Sequence, residues 1–145
     1  MANFDRIVGG QEAAGPIPWQ VSVRELTASG WSRPCGGTIL DSKTVVTAAH
    51  CRMDYINGYV MAGKVGWATG MEDNYKIAQV IRHPEYKRFT LHNDIAILKL
   101  SDPLTMSEAI EPMCLPDADY VPASGKKCYV SGWGMVQGSK LEHKF

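Results

Sequence analysis

The chain has 145 residues, enough for one domain with a buried core. Its 45% hydrophobic and 21% charged residues are those of an ordinary globular protein, and 15 basic side chains balance 15 acidic ones, which gives no support to a nucleic-acid partner. The longest apolar stretches, such as 44–49, are far too short to span a bilayer, so a soluble protein with no membrane partner is expected.

The first six residues, Met1-Ala2-Asn3-Phe4-Asp5-Arg6, lack the apolar core of a signal peptide, which taken alone argues for a protein that stays inside the cell. From residue 21 onward the periodicity is that of strands. Val21-Ser22-Val23-Arg24 alternates apolar and polar side chains, as a half-buried strand does. Two further runs, 37–40 and 44–47, are separated by Asp41-Ser42-Lys43, a hairpin-length connection. Strands are then predicted at 59–62, 75–81, 94–100 and 128–130, punctuated by Gly, Pro, Asn and Asp at the turns. No window holds a convincing 3.6-residue period, and there is no internal repeat. Many short strands with regular turn signals predict an all-β sandwich or barrel.

Residues 112–125 read as a connector, with three prolines, two aspartates and little periodicity. Proline has no N–H to give a ladder, so this stretch is not a central strand. A new strand is expected after it, in Lys126-Lys127-Cys128-Tyr129-Val130-Ser131-Gly132-Trp133-Gly134.

Four cysteines, Cys35, Cys51, Cys114 and Cys128, are scattered along the chain with no CxxC pair of the kind that binds zinc or does thiol redox work. The spacing fits disulfides in an oxidising compartment, against the reading of the N-terminus; four cysteines allow three connectivities, and the spacing does not choose among them. His83, before Pro84, reads as a turn residue leaving a strand, His92 as a neighbour of Asp94, and His143 as an exposed residue near the C-terminus. His50, His83 and His92 do not show the i, i+4 spacing of a helical metal-ligand pair, so no metal site is expected from them.

Three motifs carry the functional reading: Arg6-Ile7-Val8-Gly9-Gly10; Thr47-Ala48-Ala49-His50-Cys51, with Cys35-Gly36-Gly37 upstream; and His92-Asn93-Asp94-Ile95-Ala96-Ile97-Leu98. Together with Trp19-Gln20-Val21-Ser22-Val23 and Ser131-Gly132-Trp133-Gly134, in this order, the set resembles the chymotrypsin/trypsin family of serine endopeptidases from Ile7 to about Gly134. Alone, a histidine at a strand end reads as a satisfied polar residue and Asp94 as a solvated loop carboxylate. In register with Cys35 and Cys51, both acquire a chemical reading. An imidazole titrates near neutrality and can take a proton from a hydroxyl and return it to a leaving amine.

The resemblance implies a division of labour that is the general template of Ser-His-Asp catalysis: His50 as general base and acid, Asp94 as its orienting carboxylate. It implies a fold of two antiparallel β-barrels, of which this chain would supply the first and the opening strand of the second. The expected organisation is a propeptide remnant at 1–6, the N-terminal barrel at 7–112, and a connector with the first strand of a truncated second barrel at 113–145. It further implies an activation cleavage between Arg6 and Ile7, a disulfide between Cys35 and Cys51, and no partner within the chain for Cys114 or Cys128. Secretion, protein or peptide substrates and protein protease inhibitors are implied as location and partners, with no cofactor. Many members hold calcium in a loop after the strand equivalent to 59–62. Here Lys64 stands at the first ligand position, so no calcium site, and no metal, is expected.

The family's nucleophile lies in a Gly-Asp-Ser-Gly-Gly-Pro segment that also makes the oxyanion hole. No serine of this sequence, Ser124 and Ser131 included, sits in a Gly-x-Ser-x-Gly frame. Two expectations follow. The first is a serine endopeptidase chain that lacks its nucleophile and is inactive alone. The alternative is a short non-catalytic product that binds a protein partner through an exposed apolar barrel face.

Overall fold

The computed structural model describes residues 11–32, 34–51, 57–66 and 74–133. Among these there is no helix, and seven strands follow one another: β1 (Gln20–Thr27), β2 (Gly30–Trp31), β3 (Cys35–Asp41), β4 (Thr44–Thr47), β5 (Gly58–Ala62), β6 (Asn74–Arg82) and β7 (Ala96–Leu100). Valine is frequent in them, with isoleucine and threonine, the branched side chains that pack well on a pleated surface. All pairings are antiparallel, in the order β1-β3-β4-β7-β6-β5, and β5 returns to pair with β1. The sheet therefore closes into a six-stranded barrel, while β2 is a short extra strand on the end of β1.

Alternation fills the barrel. Val21 and Val23 of β1, Ile39 of β3, Val45 of β4, Val60 and Ala62 of β5, Ile77 of β6 and Leu98 and Leu100 of β7 form one buried cluster, with Leu104 closing it. Each fully buried large aliphatic side chain contributes roughly 1.5–3 kcal/mol. Gly37 lets β3 come this close to its neighbours. A Cβ there would lie 2.9 Å from both Val21 Cγ2 and Val45 Cγ1, and 3.1 Å from the Val46 carbonyl oxygen. The predicted β3–β4 hairpin is present. Asp41 Oδ1 accepts the Lys43 backbone N–H at 2.8 Å, and this bond leads the influences that hold the Asp41 carboxyl below the usual carboxylate range.

The outer face of β1 holds a feature that alternation does not reveal. Arg24 points out of the barrel yet is only 1% exposed. Its Nε and Nη2 donate to Asn74 Oδ1 at 3.1 and 2.8 Å, and its guanidinium stacks 4.1 Å over Trp31, which meets Tyr59 edge to face. Burial pushes the Arg24 pKa down, because the charged form loses hydration.

After β7 the chain runs over the barrel surface. Met113 N–H donates to the Ile39 carbonyl and Glu111 N–H to the Pro18 carbonyl, but residues 112–125 form no strand, as the prolines predict. The strand expected at 128–130 does not form: Tyr129 is fully exposed and Val130 is 78% exposed. A short apolar run is not enough for a strand. It needs an unpaired edge, and closure through β1 and β5 leaves the barrel none. The segment is held by side chains instead, Ser131 Oγ to Gln20 Oε1 at 2.8 Å and Trp133 Nε1 to the Val65 carbonyl at 2.7 Å.

Candidate active site

His50 lies in the turn that ends β4, where Cys51 N–H donates back to the Ala48 carbonyl at 3.2 Å. Two ties hold this turn against the start of β3. Thr47 Oγ1 donates to the Gly36 carbonyl at 2.7 Å, and Cys51 is disulfide-bonded to Cys35, with Cα atoms 6.1 Å apart. The disulfide implied by the resemblance is thus the one formed. Cys114 and Cys128 are both free thiols on the surface.

Asp94 arrives from the connection between β6 and β7. His83 N–H donates to the Ile95 carbonyl at 3.0 Å and closes the base of the loop, and Lys87 N–H donates to the His92 carbonyl at 3.0 Å within it. Leu91 and Asn93 both take positive φ, 52° and 54°, a region that asparagine tolerates and leucine rarely visits. Ile95 N–H then bonds to the Asn93 carbonyl at 2.8 Å. The predicted strand at 94–100 accordingly starts two residues late, at Ala96. The tight turn at Asn93 takes Asp94 out of the ladder and turns its carboxylate toward His50.

The two residues meet through both carboxylate oxygens. Asp94 Oδ2 lies 2.7 Å from His50 Nδ1, and Oδ1 accepts the His50 backbone N–H at 2.8 Å. The His50 side chain is 53% exposed and that of Asp94 22%. Desolvation is the largest single influence on the Asp94 carboxyl and pushes its pKa up. The hydrogen bonds from the His50 ring and backbone, the His50 charge and the Ala49 N–H together outweigh it and hold the carboxyl below its usual range. Asp94 is therefore ionised at neutral pH and can only accept. In the neutral ring the proton then sits on Nδ1, which leaves Nε2, 3.8 Å from Cys51 Sγ, as the unprotonated nitrogen.

A cavity of about 190 Å³ opens beside the ring, lined by Ala49, His50, Arg82, Tyr86 and Arg88. Arg82 Nε donates to the Ala49 carbonyl at 3.4 Å, and the Tyr86 hydroxyl is buried without a hydrogen-bond partner among the described residues. These cavity residues have no periodic signal in the sequence, because a loop and a strand end deliver them. The left-handed Asn93 was the one legible clue, since asparagine often marks such turns. His83 takes a turn role, with Nδ1 accepting the Glu85 N–H at 3.1 Å.

On metal, one cluster stands out among the described residues: ligand atoms of Cys35, His50 and Cys51 lie within 4.8 Å of one another. Both sulfurs are spent in the disulfide and cannot act as thiolates in this state. Arg6 and Ile7 lie outside the described residues.

Comparison with known proteins finds related serine proteases and a similar fold. Mouse chymotrypsin-C is 37% identical over 135 residues, covering 90% of this chain and 50% of that protein. Rat transmembrane protease serine 9 is 40% identical over 138 residues, covering 91% of this chain and 13% of that protein. A solved structure of GrC superposes with a TM-score of 0.78 at 32% identity, covering 90% of this chain and 58% of the other. The chain thus spans half or less of the length of these curated relatives. The family model described as Trypsin matches residues 7–144, and on that match the chain belongs to the trypsin-like serine protease family.

Proposed function

We propose that this chain supplies the histidine and aspartate of a serine endopeptidase active site, with His50 as general base and acid and Asp94 as its positioning carboxylate. The observation that carries this reading is the double contact of Asp94 with the His50 ring and backbone, at 2.7 and 2.8 Å, which engages Nδ1 and leaves Nε2 as the ring nitrogen that Asp94 does not hold. In the reaction, Nε2 takes the proton of an attacking serine hydroxyl, the imidazolium is stabilised by Asp94, and the proton then passes to the leaving amine. The substrate class is protein or peptide, protein inhibitors are the natural partners, and the setting is extracellular, where the Cys35–Cys51 bridge persists. Cleavage between Arg6 and Ile7 activates the enzyme. Residues 7–112 act as the N-terminal barrel, and 113–145 lead towards a second one.

The attacking serine is not among these residues in a recognisable frame, so the 145-residue chain does not hydrolyse peptides unaided. Without it there is also no oxyanion hole to support even the residual rate of about 10³–10⁴ over water that triad variants retain. The test compares the 145-residue chain with any longer product isolated from the native source, identified by intact mass above 16.0 kDa. A fluorogenic peptide and a serine-directed phosphonate report on each. The expected result is a silent, unlabelled short chain and a long product whose turnover is abolished by His50→Ala. Phosphonate-sensitive turnover by the pure short chain, or a long product indifferent to His50→Ala, would overturn the reading.

A further inference from the structure

We infer that the cavity beside His50 is an anion pocket that takes the carboxylate of a glutamate or aspartate side chain from a peptide lying across the site. This rests on the reading of His50 as part of a peptide-binding active site, and adds to it a preference for acidic sequences. The cavity wall carries one sign of charge. Ala49, His50, Arg82, Tyr86 and Arg88 surround about 190 Å³, and no carboxylate is among them. Arg82 ends β6 and Arg88 lies in the loop that follows, so a strand end and a loop bring two guanidiniums to one cavity. Both stay charged across the physiological pH range.

The acid of the site is spent elsewhere. Asp94 engages the His50 ring at Nδ1 and the His50 backbone N–H, and it does not line the cavity. Arg82 Nε donates to the Ala49 carbonyl at 3.4 Å, which holds one wall against the residue before His50. Arg88 is exposed, and among the described residues no hydrogen bond or ion pair engages its side chain. A planar guanidinium presents paired N–H donors that match the two oxygens of a carboxylate.

Size and wall chemistry choose the ligand. The volume of about 190 Å³ is below the range of about 300–1,000 Å³ found for drug-sized molecules, and suits a single side chain. Ala49 and the Tyr86 ring give apolar surface for a methylene stem, while the arginines take the charged end. A small inorganic anion has no apolar part to place there. The His50 ring is 53% exposed and borders the same cavity, so a peptide held beside it brings a neighbouring side chain to the pocket.

The test uses the 145-residue chain and two capped hexapeptides that differ only at one central residue, glutamate or glutamine. Binding is followed by the chemical shifts of the His50 ring, assigned through His50→Gln. Acetate is titrated separately, to tell a free carboxylate from one carried on a peptide. The glutamate peptide should bind about fivefold more tightly than the glutamine peptide, the margin of a hydrogen bond to a charged group over a neutral one. The margin should vanish at about 1 M salt, where charges are screened within ~3 Å. Arg88→Met keeps the stem and removes the charge. It should lose most of the preference while its circular dichroism spectrum and Tm stay those of wild type. No shift with either peptide, equal binding of the two, a preference unchanged in Arg88→Met, or acetate binding as tightly as the glutamate peptide would each overturn the inference. None of these outcomes bears on His50 as general base, which is read separately from turnover by the longer product and its loss in His50→Ala.

Discussion

Replacing Asp94 by asparagine tests the orientation of His50 most directly. The carboxylate makes two contacts, accepting the His50 backbone N–H at Oδ1 and the ring Nδ1–H at Oδ2. An amide of the same shape has one acceptor and one donor end. If its oxygen keeps the backbone N–H, its NH₂ group faces Nδ1 and cannot approach a ring N–H. The ring proton must then move to Nε2, so that Nδ1 becomes the acceptor. A hydrogen bond to a charged group is worth about 1.5–3 kcal/mol, and a neutral one about 0.5–1.5 kcal/mol. The exchange therefore costs about 1 kcal/mol of stability, reduced further by solvent at the half-exposed ring. The tautomer responds far more strongly. A preference of about 1.36 kcal/mol is already a factor of ten, so the two proteins should populate opposite tautomers. Long-range ¹⁵N–¹H correlation spectra at alkaline pH, with the imidazoles neutral, distinguish Nδ1–H from Nε2–H directly. The wild-type chain should show a protonated Nδ1 and Asp94→Asn a protonated Nε2, with melts within a few degrees of each other. The same tautomer in both proteins would refute the reasoning.

Three further outcomes are expected. The Asp94 carboxyl is held below its usual value in the folded chain, so its contribution to stability is complete above the unfolded value of about 3.9 and lost as pH falls through the folded one. Between pH 5 and 2, denaturant melts should therefore show a smaller loss of stability in Asp94→Asn than in wild type, and parallel curves would contradict the assignment. Gly37→Ala should destabilise by about 1–3 kcal/mol, because its Cβ meets two packed valine side chains and a carbonyl at 2.9–3.1 Å. An unchanged urea midpoint would show that β3 can shift away. Replacing both Cys35 and Cys51 by serine should cost about 3 kcal/mol from the opened loop, which corresponds to a fall in Tm of about 10 °C. A fall as small as that of a surface substitution would mean that the bridge constrains little.

Much of the barrel was legible because burial on one face imposes a period of two. Val21 and Val23 announce their strand by alternation, and Asp41-Ser42-Lys43 announces the hairpin between the runs that hold Ile39 and Val45. The short apolar run misled at 128–130, since a run of strand-forming residues does not say whether a partner strand has an open edge. Alternation also missed β2, two residues long, and gave no warning that Arg24, on an outward position, would be buried against Trp31 and Asn74.

The residues of the candidate site could be singled out because the motifs that hold them, 47–51 and 92–98, in order with Cys35-Gly36-Gly37, resemble those of the chymotrypsin/trypsin family. That resemblance indicated the family and the two side chains, while strand-length runs and turn signals indicated an all-β fold. Only the folded chain decides that residues 44 apart in sequence meet at 2.7 Å, because that distance depends on a left-handed turn at Asn93 and a disulfide drawing the His50 turn onto β3. The cavity beside the ring has the same origin: it is a relation between segments brought together by the fold, and no local pattern in the sequence encodes it.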